Sequence, residues 1–232
     1  MAQSDAEWRQ TISALHGSGP KAALAITGGG SGAIGELLRV PGGSRLLIEA
    51  QVPYDEQALA EFIGFAPAQA CSADTAIAMA HAARRRAQRL VPGDIELVGL
   101  GATAALVSDR PRRGEHRFHV ACATSVGVSH CTVVLAKGRR DRSGEEDVVA
   151  RSIVLWLAGV CGVAAPPPTS LLDPDEHFAA VEIPIGDPVD RLLAGERGAA
   201  YHFSRGMPWN VRRLKLLAAI CLPLSTVRQL RD

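Results

Sequence analysis

Short apolar runs alternate along this chain with longer segments in which apolar residues recur every three or four positions. Such runs lie at residues 22–26 and 95–101, and residues 45–52 form a similar segment that also contains polar residues. Glycine or proline lies close to the ends of each. Runs of this length favour buried strands. The segments with a spacing of three or four favour amphipathic helices, and the alternation of the two predicts an α/β fold.

Five helices are predicted, and most of them begin at a residue that can cap a helix. Ser4 and Glu7 form the capping-box pattern before the first helix, Asp55 precedes the third, and Ser72 or Asp74 precedes the fourth. Side-chain oxygens at these positions accept hydrogen bonds from the free N–H groups of the first turn. The first predicted helix follows Ser4, and the second spans residues 33–39. The third follows Asp55 and ends at Gly64, and the fourth spans residues 75–90. The fifth begins with a capping box at 141–146 and ends at residue 162.

Two further strands and a proline-rich segment complete the organisation. Residues 116–124 and 128–136 predict a hairpin, and residues 166–168 are three successive prolines that predict a stiff linker. We therefore divide the chain into an α/β domain at 1–163, a linker at 164–170 and a C-terminal appendage of unknown role at 171–232. Within the appendage, the pattern predicts a strand at 178–183, a short helix at 189–193 and a basic, leucine-rich end at 211–230.

The balance of charge excludes several classes of partner. The 232 residues carry 25 Lys and Arg against 24 Asp and Glu, so the basic surplus typical of proteins that bind nucleic acids or anionic membranes is absent. No apolar run approaches the roughly 20 residues that cross a bilayer, and the N-terminus lacks the apolar core of a signal peptide. The five cysteines show neither a disulfide framework nor CxxC metal spacing. These features predict a cytoplasmic protein with reduced thiols, no metal and no cofactor.

The segment Thr27-Gly28-Gly29-Gly30-Ser31 is the strongest candidate for a binding site. It lies between a predicted strand and a predicted helix. Successive glycines at such a position let backbone N–H groups turn toward one anion. The pattern is neither a P-loop nor a dinucleotide fingerprint. A tight turn that needs only the positive φ of glycine is the alternative interpretation.

Tyr54 and three histidines are further candidates. Tyr54 follows the end of a predicted strand, where its hydroxyl can face a ligand or stay in water while the ring packs. His116, His119 and His130 come from the predicted hairpin, but an i, i+3 spacing places His116 and His119 on opposite faces of a strand, so we do not expect a metal site. Basic groups at 84–86, 111–113 and 138–140 can contact phosphate or form solvated surface.

The order of motifs from residue 21 to residue 163 resembles the C-terminal domain of the CinA proteins, which includes the stand-alone nicotinamide-nucleotide amidohydrolases. The resemblance depends on residues 23–31, Val40-Pro41-Gly42-Gly43-Ser44, residues 52–59 with Phe62-Ile63-Gly64, Cys71-Ser72 with Met79-Ala80, and Gly101-Ala102-Thr103-Ala104. Residues 28–31, 108–111 and 114–119 resemble more closely the divergent CinA-like module that precedes a nucleotidyltransferase-like domain in some larger proteins.

The resemblance implies a three-layer α/β/α sandwich with a mixed central sheet. It also implies metal-free hydrolysis of nicotinamide mononucleotide to nicotinic acid mononucleotide and ammonia, and self-association into a homo-oligomer. In active members a serine is the nucleophile, and a tyrosine and a lysine five residues later assist it. A desolvated, neutral lysine amine can take the proton of the serine hydroxyl, which is why the serine and the lysine work together.

On this chain the catalytic pattern of the family is incomplete. Thr27 or Ala25 occupies the nucleophile position, depending on whether residues 40–42 or residues 27–29 anchor the alignment. Tyr54 matches the tyrosine of the family and Thr103 matches a threonine. Leu59 stands at the lysine position, and it can neither accept a proton nor carry a charge.

Two functions from different classes follow from this comparison. The first is a CinA-like domain that binds a nicotinamide mononucleotide-like or other phosphorylated metabolite through Gly28, Gly29, Gly30 and Ser31, with lost or weak amidase activity. The alternative is an active, divergent nicotinamide-nucleotide amidohydrolase that uses Thr27, Tyr54 and Thr103. A structural domain without a ligand is a third interpretation.

Overall fold

Within the residues that the structure describes, six strands form one mixed central sheet. The computed structural model describes residues 4–110 and 113–184, and the helix predicted at 189–193 and the basic end at 211–230 lie outside them. The sheet order is β2-β1-β3-β4-β5-β6, with β2, β1 and β3 parallel and the other neighbours antiparallel. The strands are β1 (Lys21–Thr27), β2 (Leu47–Gln51), β3 (Leu97–Ala105), β4 (His116–Ala123), β5 (Gly127–Leu135) and β6 (His177–Pro184).

Helices cover both faces of the sheet, because alternate residues of each buried strand point to opposite sides. Leu24 and Ile26 of β1 pack with the first, second and fifth helices, whereas Ala23 and Ala25 pack with the third and fourth. The predicted three-layer α/β/α sandwich with a mixed sheet is therefore confirmed. The helices are α1 (Asp5–His16), α2 (Gly32–Arg39), α3 (Glu56–Ile63), α4 (Ala73–Leu90) and α5 (Arg142–Val160).

The predicted caps are confirmed for four of these helices. Ser4, Asp55, Ser72 and Asp141 each accept a hydrogen bond from a backbone N–H of the first turn. The capping box predicted for Glu146 is wrong. The residue three positions into the first turn of α5 is glycine, and the Glu146 side chain contacts α2 instead.

Two glycines allow α4 to lie directly on β3. A Cβ added at Gly99 would overlap the carbonyl oxygen of Ala80, and one at Gly101 would overlap that of Ala76. Such close approach requires a strand without side chains at the contact and a helix with small ones. The alanine-rich sequence of α4 is thus explained by packing, and the packing brings the start of α4 beside the carboxyl end of β3.

The sheet continues beyond the predicted linker. β6 pairs with β5 along its whole length, which confirms the strand predicted at 178–183. The chain before β6 is fixed by Arg140, whose guanidinium donates to Asp173 at 3.2 Å and to the buried Glu176 at 2.5 Å. Residues 173–184 therefore pack with the part of the chain that precedes the linker, and the boundary between domain and appendage stays a prediction.

Two features concern the environment of the chain. Within residues 4–110 and 113–184, no helix is both long enough and apolar enough to cross a lipid bilayer. Cys71, Cys122, Cys131 and Cys161 are free thiols. Burial raises the pKa of the Cys131 thiol to about 12, so this side chain stays protonated and acts as a small apolar residue.

Candidate functional site

A cleft of about 890 Å³ opens at the carboxyl ends of β1 and β3. Thr27, Tyr54 and Thr103, the three catalytic candidates, all line it, together with Gly28. In parallel α/β sheets, ligands bind beyond the carboxyl ends of the strands, where loops diverge. The remaining lining residues come from the loop before α4, the end of β3 and the segment after it, the residues before and at the start of β4, and the first turn of α5: Gln69, Ala70, Cys71, Ala104, Ala105, Leu106, Val107, Ser108, Asp109, Arg113, Gly114, Glu115, Arg117 and Arg142.

Thr27 and Thr103 are neighbours in the sheet but differ in what their hydroxyls do. They are paired residues of β1 and β3, and both are buried. The Thr103 hydroxyl donates a hydrogen bond to the carbonyl oxygen of Ala70 at 2.8 Å, so it fixes the loop before α4 against the sheet. Thr27 ends β1 at the cleft, immediately before the glycine-rich loop.

Tyr54 lies on the open side of the cleft. Its side chain is 67% exposed, and it follows β2 by three residues. The phenol can reach a ligand in the cleft without losing packing energy, because the ring contributes little to the core. Of the two interpretations open from the sequence, the exposed position favours the one in which the side chain faces the cleft.

Leu59, at the position where the family carries lysine, lies in the core. It is 2% exposed and packs in one cluster with Ala25 and Met79, between α3, α4 and the sheet. Ala25, the other candidate position for the nucleophile, faces the same cluster and not the cleft. Among the described residues that line the cleft there is neither a lysine nor a histidine, and the only carboxylates are Asp109 and Glu115.

The glycine-rich loop packs tightly against β3 and α5. Gly28 and Gly30 have φ of 76° and 89°, a region that favours glycine. A Cβ at Gly28 would overlap the carbonyl oxygen of Ala104, and a Cβ at Gly30 would lie 2.6 Å from side-chain atoms of Val149 and Ile153. Close packing alone therefore explains why these two positions are glycine.

A carboxylate from α5 lies at the start of α2. The Ser31 hydroxyl and the Gly32 N–H both donate to Glu146 Oε1, each at 3.3 Å. The free N–H groups at a helix N-terminus favour a negative charge there. Gly29, Gly30 and Ser31 do not line the cleft, whereas Gly28 does, so the predicted set of four ligand-binding residues is divided. Their role in binding stays a prediction.

Arg142, in the first turn of α5, connects the two sides of the cleft. Its Nη2 donates to the carbonyl oxygen of Gly28 at 3.0 Å, and its Nη1 donates to that of Val107 at 3.3 Å. Arg142 also forms an ion pair with Glu146 at 3.6 Å. One guanidinium thus sets the distance between the glycine-rich loop and the segment after β3.

Glu145 is a structural residue that the sequence did not reveal. It is 1% exposed; one carboxylate oxygen lies 2.6 Å from His116 Nδ1, and the other accepts the Val107 N–H at 2.7 Å. Together with Arg142 it therefore holds both backbone groups of Val107. The available signal was an acidic residue in the stripe of α5 that also contains Val149 and Ile153, where an apolar residue is expected.

His116 and His119 lie on opposite faces of the sheet, as expected. His116 faces α5, whereas His119 faces the opposite layer, where its Nδ1 lies 2.8 Å from the Thr132 hydroxyl. Burial and the nearby Arg117 lower the pKa of His119 to about 4, so it is neutral at pH 7. Within the part of the chain that the structure describes, no group of three His, Cys, Asp or Glu side chains has the geometry of a metal site.

Comparison with known proteins shows which folds the chain resembles. A competence/damage-inducible protein, CihA from Agrobacterium tumefaciens, is 18% identical and matches over 69% of this chain and 99% of its own length, with a TM-score of 0.53. A competence or damage-inducible protein from Enterobacter asburiae is 16% identical over 69% of this chain and 98% of its own, with a TM-score of 0.52. A CinA superfamily protein from Enterobacter cloacae is 16% identical over 70% and 95%, with a TM-score of 0.50. No family model and no curated protein matches the sequence.

Proposed function

Because the chain has a CinA-like α/β fold, we propose that it is a CinA-like domain that binds a nicotinamide mononucleotide-like or other phosphorylated metabolite, with lost or weak amidase activity. The single observation that carries this proposal is the cleft itself, which gathers Thr27, Tyr54 and Thr103 at the carboxyl ends of β1 and β3. Its volume of about 890 Å³ is within the ordinary range for small-molecule sites.

The charge of the cleft supports an anionic ligand. Arg113, Arg117 and Arg142 line it, against the two carboxylates Asp109 and Glu115. A phosphate monoester carries two negative charges near neutral pH and can accept several charge-assisted hydrogen bonds from guanidinium groups. The cleft also offers an exposed phenol, Tyr54, against which a flat ring can pack.

The absence of a base in the cleft supports weak or lost activity. A threonine hydroxyl is a poor nucleophile until a neighbouring group takes its proton. The position that would carry the lysine is Leu59, which is buried in the core, and none of the described lining residues is a lysine or a histidine. Loss of both nucleophile and base from a catalytic unit lowers rates by roughly 10⁴- to 10⁶-fold.

One observation favours the alternative, an active amidohydrolase. Thr27 lies in the cleft beside the turn at Gly28, and Tyr54 lines the same cleft. If Asp109 or Glu115 accepted the proton of the Thr27 hydroxyl, the threonine could attack an amide carbon.

Titration calorimetry with nicotinamide mononucleotide and an ammonia-release assay on the same sample test both functions. We expect binding without ammonia release in the unmodified protein, and equal binding in Thr27→Val, which keeps the shape and removes the hydroxyl. Ammonia release that disappears in Thr27→Val would establish the amidohydrolase. Absence of both binding and turnover would contradict the proposed ligand class.

A further inference from the structure

The glycine-rich loop and the start of α2 already hold an anion that belongs to the protein. Glu146 Oε1 accepts hydrogen bonds from the Ser31 hydroxyl and the Gly32 N–H, and Glu146 Oε2 lies 3.1 Å from the point where a Cβ of Gly29 would stand. The carboxylate therefore lies against the loop at Gly29 and against the first N–H of α2. Of the described residues, Arg142 supplies its ion pair, at 3.6 Å.

A phosphate bound at the same place would meet the charge of Glu146. Two anions at a separation of a few ångströms repel each other, and the carboxylate has hydrogen bonds that a ligand would have to replace. It is also attached to α5 by the chain itself, so it does not have to be recruited from solution. The attachment gives the carboxylate a high effective concentration at the loop, which favours it over an anion from solution.

The opposite wall of the cleft, formed by residues 113–117, has a donor that lacks an acceptor. Arg117 lines the cleft, and its Nε is buried without a hydrogen-bond partner among the described residues. The Glu115 carboxylate lies 3.8 Å from its Nη1, beyond hydrogen-bond distance, and is 64% exposed. A buried N–H donor without an acceptor costs free energy, and a ligand oxygen would recover it.

We propose that Glu146 is an internal occupant of the anion site at the glycine-rich loop, and that the anionic group of the ligand binds instead at Arg113 and Arg117 on the opposite wall. The inference rests on the proposed function, since it states where the phosphate of that ligand lies. It assigns Glu146 the role of a specificity residue that acts by exclusion.

Two pairs of variants test the inference, each with a matched control. Arg117→Gln removes the charge of the proposed site, and Arg139→Gln removes an arginine that lies outside the cleft. We expect Arg117→Gln to weaken binding of nicotinamide mononucleotide at least tenfold and to leave binding of nicotinamide riboside, which lacks the phosphate, within twofold. Arg139→Gln should change neither. If Arg117→Gln does not fold, Arg113→Gln tests the same wall.

Glu146→Gln tests the second part, with Asp147→Asn as the control for a general change in charge. Asp147 is the exposed next residue of α5. We expect inorganic phosphate to bind several-fold more tightly to Glu146→Gln than to the unmodified protein or to Asp147→Asn. Equal phosphate binding by the two variants would overturn the exclusion role.

The outcomes separate the inference from the proposed function. Nicotinamide mononucleotide binding that Arg117→Gln and Arg113→Gln leave unchanged would contradict the inference alone. An unmodified protein that binds neither the nucleotide nor inorganic phosphate would contradict both. Thermal denaturation of each variant shows whether a loss of binding comes from unfolding.

Discussion

The two walls of the cleft are built in different ways. The wall of the glycine-rich loop is held by Arg142, which binds the carbonyl oxygen of Gly28, and by Glu146, which binds the start of α2. The arginine wall at residues 113–117 has an exposed Glu115 and an Arg117 with an unsatisfied donor. We therefore expect substitutions in the first wall to change the stability of the fold, and substitutions in the second to change the affinity for a ligand.

The largest effect is expected from a pair of glycine-to-alanine variants, one in the glycine-rich loop behind the first wall and one in the arginine wall. Gly30→Ala places a Cβ 2.6 Å from side-chain atoms of Val149 and Ile153 at a φ of 89°. Overpacking and backbone strain each cost about 1–3 kcal/mol, so the free energy of unfolding should fall by about 3 kcal/mol. Gly114→Ala has open space around its Cβ and should change it by less than about 0.5 kcal/mol. Urea denaturation measures both changes, and equal losses of stability would show that the two walls do not differ in their contribution to the fold.

A second pair of variants replaces one buried acidic residue, Glu145, and one exposed acidic residue, Glu115. Glu145→Ala leaves the Val107 N–H and His116 without their buried acceptor, which should lower the free energy of unfolding by about 2–3 kcal/mol. Glu115→Ala removes only an exposed carboxylate from a weak ion pair, worth less than about 1 kcal/mol. The same denaturation experiment applies. A stable Glu145→Ala protein would show that the segment after β3 is held by packing rather than by this carboxylate.

The smallest effect concerns His119, a neighbour of Arg117 in the arginine wall, and it depends on pH. Burial, Arg117 and His130 lower the pKa of His119 to about 4, while Asp74 opposes the shift. The His119 side chain therefore binds a proton at higher pH in the unfolded chain than in the native protein. Protonation of His119 does not reduce the free energy of unfolding above about pH 6.5, and it reduces it progressively as the pH falls toward 4.

The loss due to His119 should amount to about 1.4 kcal/mol for each pH unit at most. His81, also with a pKa of about 4 because of burial, contributes in the same direction. Comparing urea denaturation at pH 7 and pH 5 in the unmodified protein and in His119→Gln measures the share of His119. Glutamine can keep the hydrogen bond to Thr132, so a pH dependence that His119→Gln leaves unchanged would assign the effect to other groups.

The elements of the fold were accessible from local patterns. Every described strand and α-helix was predicted, because each strand segment is bounded by glycine or proline and four of the five α-helices begin at a capping residue. The short 3₁₀ helices at Gly43–Arg45 and Pro168–Leu171 were not. The cleft was predicted in part. Thr27, Tyr54 and Thr103 were chosen through the resemblance, and the sheet brings them to one cleft because β1 and β3 are parallel neighbours and Tyr54 follows β2, the other neighbour of β1.

Local sequence patterns were sufficient for the secondary structure and the fold class, because capping, glycine turns and apolar periodicity act between residues close in the chain. The way the cleft is held depends on contacts between residues far apart in the chain. Glu146 meets Gly32 across 114 positions, and Glu145 meets His116 across 29. No local pattern encodes such pairs: the packing of α5 against the sheet brings them together, and a capping motif led to the wrong partner for Glu146.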